Sequence, residues 1–342
     1  MTTTRGAAFQ QHGPQEHESP AAGASYGILI GSQHLAEMLF GEGLEMLAGV
    51  PGRAVSPIVT QWDDRALAQL ENVDVLVTGW GAPKLTDEIV ASLPRLRAII
   101  HAGGATEYFI TAAARSTISV VSAGALNAIP VAEYSLAMIL LACKQVFRAE
   151  RHYREHRTHI DRELVFPNAG NYGQTVGLVG ASQIGRNLVG LLKPFSLRVV
   201  VFDPYLTADD AAALGVEQVS LDELLATSDV VSLHAPLNAE TTGMIGAREL
   251  ALMAPGSTLL NTARGGVVDH PALERELVSG RIDAILDVTD PFEPLPRDSP
   301  LWDCPNVIIT PHVAGSMGTE LRRMGEFVAS ELSSALLRVD AR

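Results

Sequence analysis

The chain is short of cysteine, of positive charge and of long apolar runs. Its 342 residues include two cysteines, Cys143 and Cys304, which are too few for a disulfide framework and lack metal-ligand spacing. We therefore expect a reducing, cytoplasmic location and no bound metal.

The 25 Lys and Arg residues are outnumbered by 39 Asp and Glu residues, for a formal net charge of -14. This balance argues against nucleic acid or an anionic membrane as the main partner, although a local arginine can still bind a small anionic substrate.

Apolar runs long enough for a membrane span are also missing from the sequence pattern. The strongest run, from Ser135 to Cys143, is too short to cross a bilayer and is flanked by Glu133 and Lys144. The N-terminal residues lack the apolar core of a signal peptide, and their polar, Pro- and Gly-containing composition predicts a disordered leader over residues 1–23. No membrane partner is expected.

Short apolar strands alternate with amphipathic helical segments along most of the chain. Hydrophobic residues make up 47% of the sequence, enough for the cores of two domains. Strands alternating with helices predict an α/β fold with parallel sheets covered on both faces. One such unit runs from Tyr26 to near Asn127, and a second, with six apolar strands, is typical of a doubly wound dinucleotide-binding domain. A single amphipathic helix follows Gly315.

An arginine-rich segment, RAERHYREHRTHIDREL, follows the long apolar helix that opens the second unit. Its arginines are compatible with a phosphate or nucleic-acid patch. Because acidic residues are interleaved with them, a solvated helical face or a subunit-contact arm is favoured.

The stretch TVGLVGASQIGRNLVGLL, residues 175–192, reads as a buried strand, a tight turn and a helix. A dinucleotide-binding fingerprint has three glycines at such a turn. Gly180 and Gly185 are present, but Ser182 stands where the middle glycine belongs. By itself this pattern is equally compatible with an ordinary strand-to-helix turn.

The residues around the turn favour a cofactor site. Asp203 ends the next apolar strand, where a carboxylate accepts hydrogen bonds from both ribose hydroxyls and repels a 2′-phosphate. This predicts NAD rather than NADP as the cofactor. Ser182 adds a small hydroxyl that can donate to a phosphate oxygen, and the helix from Gln183 points its free amides at the anion. We expect a working loop with slightly shifted phosphate packing.

Three later strands end in polar residues that parallel pairing would bring to one sheet edge. They deliver Arg264, then Asp287 with Glu293, then His312. Arg264 suits a substrate carboxylate, His312 suits an acid/base role, and Glu293 is able to orient the imidazole. Singly, each residue has an ordinary explanation as a surface, salt-bridge or capping residue. Together they predict hydride transfer between a 2-hydroxy acid and its 2-oxo acid.

These blocks resemble the D-isomer-specific 2-hydroxyacid dehydrogenase family, which includes phosphoglycerate dehydrogenases and glyoxylate or hydroxypyruvate reductases. The resemblance runs from about Tyr26 to the C-terminus and is strongest in NAIPVAEYSLAMILL, the glycine loop, VVSLHAP, LLNTARGGVVD, LDVTDPFEPLP and ITPHVAG. It implies the catalytic residues of the family at Arg264, Glu293 and His312. It also implies substrate-carboxylate binding by amides near Gly103 and Gly104.

The family resemblance further implies a flavodoxin-like substrate domain, residues 24–126 and 315–342, with the NAD-binding domain, residues 127–314, inserted in it. Hinges are expected near Asn127 and Gly315, and the protein is expected to be a homodimer through the arginine-rich segment. The predicted cofactor-binding residues are Gly180, Ser182, Gln183, Ile184, Gly185, Asp203, His234, Pro236, Thr262, Ala263 and Asp287.

Three departures from the family pattern affect these expectations. Ser182 replaces a glycine, and the loop before Pro-Leu-Pro is one residue longer than usual, with Phe292 as the extra residue. The extra residue is able to lengthen the hydrogen bond between Glu293 and His312 and so lower activity, and Asp290 is the alternative partner if the loop is rearranged. The HAGGATEYF segment also lacks the acidic residue that family members usually have directly after a G-x-G-V pattern at this place, which affects the expected substrate pocket.

The main hypothesis is an NAD-dependent D-2-hydroxyacid dehydrogenase. A non-enzymatic NAD-sensing protein of the corepressor kind is the alternative, which turnover would exclude. A Rossmann methyltransferase would leave the HAP, ARGG and TPH blocks unexplained. Because no second cationic site is evident for a phosphate, small or apolar 2-oxo acids are preferred as substrates over phosphorylated ones.

Overall fold

The computed structural model describes residues 23–291 and 293–341, and it describes Ser56 through its backbone alone. The predicted leader over residues 1–23 therefore lies almost wholly outside the described residues. The same holds for Phe292, the extra residue of the loop before Pro-Leu-Pro.

Five parallel strands form the first sheet, in the order β2-β1-β3-β4-β5. These strands are β1 (Ser25–Leu29), β2 (Arg53–Val59), β3 (Val75–Gly79), β4 (Ala98–Ala102) and β5 (Ser119–Ser122). The helices between them are α1 (Gln33–Phe40), α2 (Asp64–Leu70), α3 (Asp87–Ala91) and α4 (Ala112–Thr117). All residues of β1 and β3 are buried, as expected for strands covered on both faces. Strand β2, at the sheet edge, was not predicted from the sequence.

Seven parallel strands form the second sheet, in the order β12-β11-β10-β9-β6-β7-β8. These strands are β6 (Thr175–Val179), β7 (Arg198–Phe202), β8 (Glu217–Gln218), β9 (Val230–Leu233), β10 (Thr258–Asn261), β11 (Asp283–Leu286) and β12 (Val307–Ile309). The covering helices are α8 (Gln183–Leu192), α9 (Ala208–Leu214), α10 (Leu221–Thr227), α11 (Ala247–Leu252) and α12 (His270–Val278). The chain reverses direction across the sheet between β6 and β9, which is the switch point of a doubly wound fold. The predicted α/β fold is confirmed, with the short edge strand β8 in addition.

Helix α5 (Gly124–Cys143) joins the two sheets and is followed by α6 (Val146–His156) and α7 (Arg162–Val165). Among the described helices, α5 alone is long and apolar enough to cross a membrane by length and composition, with a mean hydropathy of 1.6. The sequence expectation of an apolar run too short for a span was wrong on length, because the helix begins at Gly124. Ile139 and Cys143 on this helix pack in one core cluster with Leu188 of α8 and Val176 of β6.

The C-terminal helix α13 (Glu320–Asp340) covers the first sheet rather than the second. Its apolar face packs in a core cluster with residues of β1 and β3, and Val328 and Leu332 in that face are fully buried. Gly325 lies so close to the Leu39 carbonyl of α1 that any side chain there would collide with it. The last helix therefore shares its core with the N-terminal strands. The domain boundaries at 126/127 and 314/315 stay predictions.

The two predicted hinge positions lie against each other. The Asn127 side chain, near the start of α5, accepts a hydrogen bond from the Ser316 amide at 2.9 Å through Oδ1. Gly315 lies directly beside the same side chain, since a Cβ built there would be 3.2 Å from Asn127 Oδ1. The two chain crossings between the sheets are thus joined by one amide side chain.

Two histidines are buried at strand ends, one in each sheet. His101 in β4 pairs with Thr78 through Nδ1 at 3.0 Å, and His234 after β9 pairs with Ser232 through Nε2 at 2.9 Å. Burial lowers the pKa of both imidazoles to about 4, so both are neutral at neutral pH.

These depressed pKa values predict that the protein loses stability on acidification. The unfolded chain protonates its histidines near pH 6.5, so the stabilising contribution is present above that pH and is lost as the pH falls towards about 4. At pH 5 the loss amounts to about 2 kcal/mol for each histidine. We expect His234→Asn to reduce the loss of unfolding free energy between pH 7 and pH 5 by about 2 kcal/mol, measured by urea denaturation.

The matched control is His34→Asn in the exposed face of α1, which should keep the pH dependence of the wild type. An equal loss of stability in wild type and His234→Asn would contradict the assignment of His234 as a buried neutral group.

Candidate active site

The predicted site residues lie at the carboxyl edge of the second sheet, in the segments that follow β6, β7, β9, β10, β11 and β12. Ligands of doubly wound folds bind at this edge, beside the switch point between β6 and β9. The substrate-loop glycines, Gly103 and Gly104, follow β4 of the first sheet.

The two glycines of the β6–α8 turn are required by close packing. Gly180 has φ +105°, and a Cβ there would lie 2.8 Å from the Ala235 amide nitrogen. Gly185 packs directly on the Gly180 carbonyl. The turn is therefore packed tightly against His234 and Ala235 of the segment after β9.

Ser182 at the missing-glycine position is the N-cap of α8. Its Oγ accepts a hydrogen bond from the Gly185 amide at 3.4 Å, so its hydroxyl proton stays available to a ligand. The first amides of a helix, here those of Gln183 and Ile184, have no acceptor within the helix. Such amides and the helix dipole suit the pyrophosphate of a dinucleotide.

Asp203 directly follows β7 and is fixed by two backbone amides. Its Oδ2 accepts from Ala181 at 2.7 Å and its Oδ1 accepts from Tyr205 at 2.8 Å. Each carboxylate oxygen keeps lone pairs for a ribose hydroxyl. The Tyr205 hydroxyl donates to Glu240 at 2.9 Å, so a second carboxylate lies close to this position.

The other predicted cofactor residues line the segments after β9 and β10. His234 Nδ1 is buried and, within the described residues, lacks a hydrogen-bond partner. The Thr262 hydroxyl lies 3.3 Å from that of Ser135, and the Pro236 carbonyl accepts from the Thr241 hydroxyl at 2.5 Å. Glycine packing, free helix amides, a fixed carboxylate and an unpartnered imidazole nitrogen together fit a bound nicotinamide dinucleotide.

His312 and Glu293 form a hydrogen-bonded pair at the same edge. His312 Nδ1 lies 2.9 Å from Glu293 Oε2, and both side chains are about half exposed. This is an ordinary hydrogen-bond length, so the lengthening considered for the longer loop is not observed. The pairing uses Nδ1 and leaves Nε2 of the imidazole available to a substrate. Asp290, the alternative partner, is not the residue that pairs with His312.

Asp287 holds the segment that carries His312. Its side chain is 2% exposed and accepts three hydrogen bonds: from Thr310 Oγ1 at 2.6 Å, from the Val313 amide at 2.8 Å and from the Ala314 amide at 2.9 Å. The sequence assigned Asp287 to the cofactor through family resemblance. That assignment stays a prediction, and the structure shows Asp287 fixing the turn on which His312 lies.

Arg264 lies on the turn after β10, with its backbone carbonyl held by Asn261. Asn261 Nδ2 donates to the Arg264 carbonyl at 3.0 Å and Oδ1 accepts from the Ala263 amide at 3.0 Å. Gly265 packs directly on the Thr289 carbonyl, which brings the Arg264 turn against the loop of Glu293. Asn261 was missed by sequence reasoning, although a buried polar residue at the end of an apolar strand was a usable signal.

The substrate-loop glycines pack against two polar side chains, His101 and Asn127. Gly103 packs on the His101 ring, and a Cβ at Gly104 would lie 3.5 Å from Asn127 Nδ2. Tyr108 on the same loop is close enough to Arg264 for the guanidinium to act on its pKa, which burial raises to about 12. Loops from both sheets therefore converge on Arg264.

Comparison with known proteins places this arrangement among dehydrogenases. Residues 136–314 match the family model described as D-isomer specific 2-hydroxyacid dehydrogenase, NAD binding domain. D-3-phosphoglycerate dehydrogenase of Mycobacterium bovis is 36% identical over 277 residues, which cover 80% of this chain and 51% of the relative. The chain thus spans about half the length of such relatives. Glyoxylate reductase of Korarchaeum cryptofilum is 33% identical over 298 residues. The match covers 83% of this chain and 89% of the relative.

Solved structures show the same architecture. D-lactate dehydrogenase from Aquifex aeolicus, complexed with NAD and lactic acid, is 27% identical with a TM-score of 0.71, over 93% of this chain and 96% of that chain. The TT0316 protein from Thermus thermophilus is 28% identical with a TM-score of 0.72, over 92% and 97%. From the matched region, the near full-length relative and the shared architecture, the chain belongs to the D-isomer-specific 2-hydroxyacid dehydrogenase family.

Proposed function

We propose that the protein is an NAD(H)-dependent oxidoreductase that interconverts a 2-oxo acid and a D-2-hydroxy acid. The observation that carries this proposal is the His312–Glu293 pair, 2.9 Å long, on a segment adjoining the turn of Arg264. An imidazole backed by a carboxylate, on a loop packed against the turn that carries an arginine, is the set that proton transfer beside a substrate carboxylate requires.

In this proposal the bound cofactor supplies or accepts the hydride, and the chain supplies the remaining groups. Arg264 binds the substrate carboxylate with the amides at Gly103 and Gly104. Protonated His312 donates from Nε2 to the carbonyl oxygen during reduction and takes the proton back during oxidation. Glu293 stabilises the imidazolium and fixes its orientation through Nδ1.

The charged residues of the substrate loop favour a substrate whose side chain is uncharged, because the arginine there is already paired with a carboxylate. Glu107 lies beside Tyr108 and is paired with Arg115 at 3.0 Å, so this cation is already engaged by a carboxylate. The similar proteins are named for three different substrates, phosphoglycerate, glyoxylate and lactate, so the family alone does not select one. We infer that small or apolar 2-oxo acids are preferred over phosphorylated ones.

The experiment that tests the function is NADH oxidation with a panel of 2-oxo acids. The panel contains glyoxylate, hydroxypyruvate, pyruvate, phenylpyruvate, 2-oxoisocaproate and phosphohydroxypyruvate. We expect saturable turnover with at least one unphosphorylated acid, and a fall in kcat of about 10²–10⁴-fold in His312→Ala, since general acid/base catalysis contributes that much. NADH binding, followed by fluorescence, should be retained in the variant.

The exposed His34→Ala serves as the control and should keep wild-type turnover. Wild-type kcat in His312→Ala would remove the acid/base assignment. NADH binding without turnover on any acid of the panel would favour the alternative of a non-enzymatic NAD sensor.

NAD is the proposed cofactor rather than NADP. The amide-fixed carboxylate of Asp203 and the nearby Glu240 would both repel a 2′-phosphate. We expect Asp203→Ala to lower the preference for NADH over NADPH, expressed as the ratio of kcat/KM values, by about 10-fold or more, because hydrogen bonds to a charged group are lost. Asp209→Ala, in the exposed first turn of α9, is the control. Unchanged discrimination in Asp203→Ala would assign ribose selection to another residue.

A homodimer is proposed through the arginine-rich arm, α6 and α7. This arm leaves large apolar side chains in solvent: Tyr153 is 62% and Leu164 is 77% exposed. Such exposure on neighbouring short helices is typical of a protein interface. Cytoplasmic location and the absence of a nucleic-acid partner stay predictions.

We expect Tyr153→Glu combined with Leu164→Glu to shift the protein from dimer to monomer in size-exclusion chromatography with light scattering. Burying two charged groups at an interface is unfavourable, so association should weaken. Leu337→Glu, at a residue that is 59% exposed on α13, is the matched control and should leave the mass unchanged. A dimer that persists in the double variant would place the interface elsewhere.

A further inference from the structure

A chain of three polar side chains lies beneath the substrate loop and has no part in the proposed proton transfer. Thr78 Oγ1 in β3 lies 3.0 Å from His101 Nδ1 in β4. His101 Nε2 lies 3.5 Å from the Tyr108 hydroxyl. This series of hydrogen-bonded side chains runs from the interior of the first sheet to the loop that carries Gly103 and Gly104.

The inner two members of this chain are completely buried. Thr78 and His101 both have 0% exposure, and burial keeps the imidazole neutral. Gly103 packs on the ring at a distance that excludes any side chain there, and the Phe109 ring packs against it at a tilt of 31°, with centroids 4.8 Å apart. A buried polar ring in such a packed setting is retained with its hydrogen bonds satisfied, so its orientation is fixed.

Tyr108, the outer member, reaches the region between the two sheets. Its side chain is 46% exposed, and Arg264 lies near enough to act on the phenol. Burial raises the pKa of Tyr108 to about 12. The group is therefore a neutral hydroxyl at working pH, on the same loop as the Gly103 and Gly104 amides that are proposed to bind the substrate carboxylate.

We propose that Tyr108 is a further substrate-binding residue, whose hydroxyl donates a hydrogen bond to the carboxylate bound by Arg264, and that Thr78 and His101 position it. This proposal rests on the proposed function. Thr78 donates to His101 Nδ1, the opposite nitrogen donates to the phenol oxygen, and the phenol proton points to the anion. In this order each hydrogen bond polarises the next.

This assignment narrows the substrate chemistry to an acid whose carboxylate meets three donors: a guanidinium, backbone amides and a phenol. The phenol is uncharged, so it adds no second cationic group to the substrate loop. It strengthens binding of the carboxylate equally before and during the reaction, which affects KM rather than kcat.

The first test is Tyr108→Phe, which removes one oxygen and leaves the ring. We expect KM for the preferred 2-oxo acid to rise by about 10-fold or more, because a hydrogen bond to a charged group is lost. The value of kcat should stay within about twofold. Tyr172→Phe, at a residue 87% exposed outside the proposed site, should match wild type. An unchanged KM, or a fall in kcat alone, in Tyr108→Phe would overturn the proposal.

The positioning role of the inner residues is tested with Thr78→Val and Thr78→Ser. Thr78→Val removes the hydroxyl, so KM should rise in the wild-type background and should not rise further in the Tyr108→Phe background. Thr78→Ser keeps the hydroxyl and should restore the wild-type KM. A rise in KM of equal size in both backgrounds would assign Thr78 to general stability instead.

Binding of oxamate, a carboxylate analogue of a 2-oxo acid, separates this proposal from the proposed function. Calorimetry with NADH-saturated protein should give a Kd about 10-fold or more higher for Tyr108→Phe than for wild type. That result without turnover on any 2-oxo acid would overturn the proposed function and support the binding site. Equal Kd values, or no binding to wild type, would overturn the assignment of Tyr108.

Discussion

The buried carboxylate of Asp287 is the interaction on which the candidate site depends. A polar group at 2% exposure is tolerated when its oxygens are satisfied, and here one hydroxyl and two backbone amides satisfy them. All three donors come from the segment after β12. That segment contains His312 at φ +55°, a left-handed conformation that costs about 1–2 kcal/mol for a residue with a side chain. The hydrogen bonds to Asp287 offset this cost and aim the imidazole at Glu293.

A second constraint is the close contact between backbone turns at the sheet edge. Gly185 lies on the Gly180 carbonyl, and Gly265 lies on the Thr289 carbonyl. Each contact excludes a Cβ. The first lies within the cofactor turn, and the second joins the Arg264 turn to the loop of Glu293. Gly180 in turn packs on the Ala235 amide nitrogen, so the cofactor turn is held against the segment after β9. The chemistry of the edge therefore requires glycine at positions that touch no substrate.

Much of this could be predicted from the sequence because the signals are local. Apolar strands, the capped helix after Thr86 and the polar residues at strand ends all follow from short-range patterns. Strand β2 was missed because Pro57 weakens a strand pattern, and proline is tolerated at a sheet edge where one side is unpaired. The functions of Asn261, and the chain from Thr78 to Tyr108, depend on contacts between distant segments, which no local pattern contains.

Electrostatics sets the last requirement for a chain of this composition. A formal charge of -14 repels an anionic acid and a dinucleotide as they approach the surface. Salt screens this repulsion beyond the Debye length, which is about 8 Å at physiological ionic strength. Attraction must therefore come from donors in direct contact with the ligand. The first amides of α8, the amides at Gly103 and Gly104, and Arg264 are such donors. Among them Arg264 alone carries a full charge, so a neutral donor such as the Tyr108 hydroxyl adds binding strength without drawing in a second anionic group.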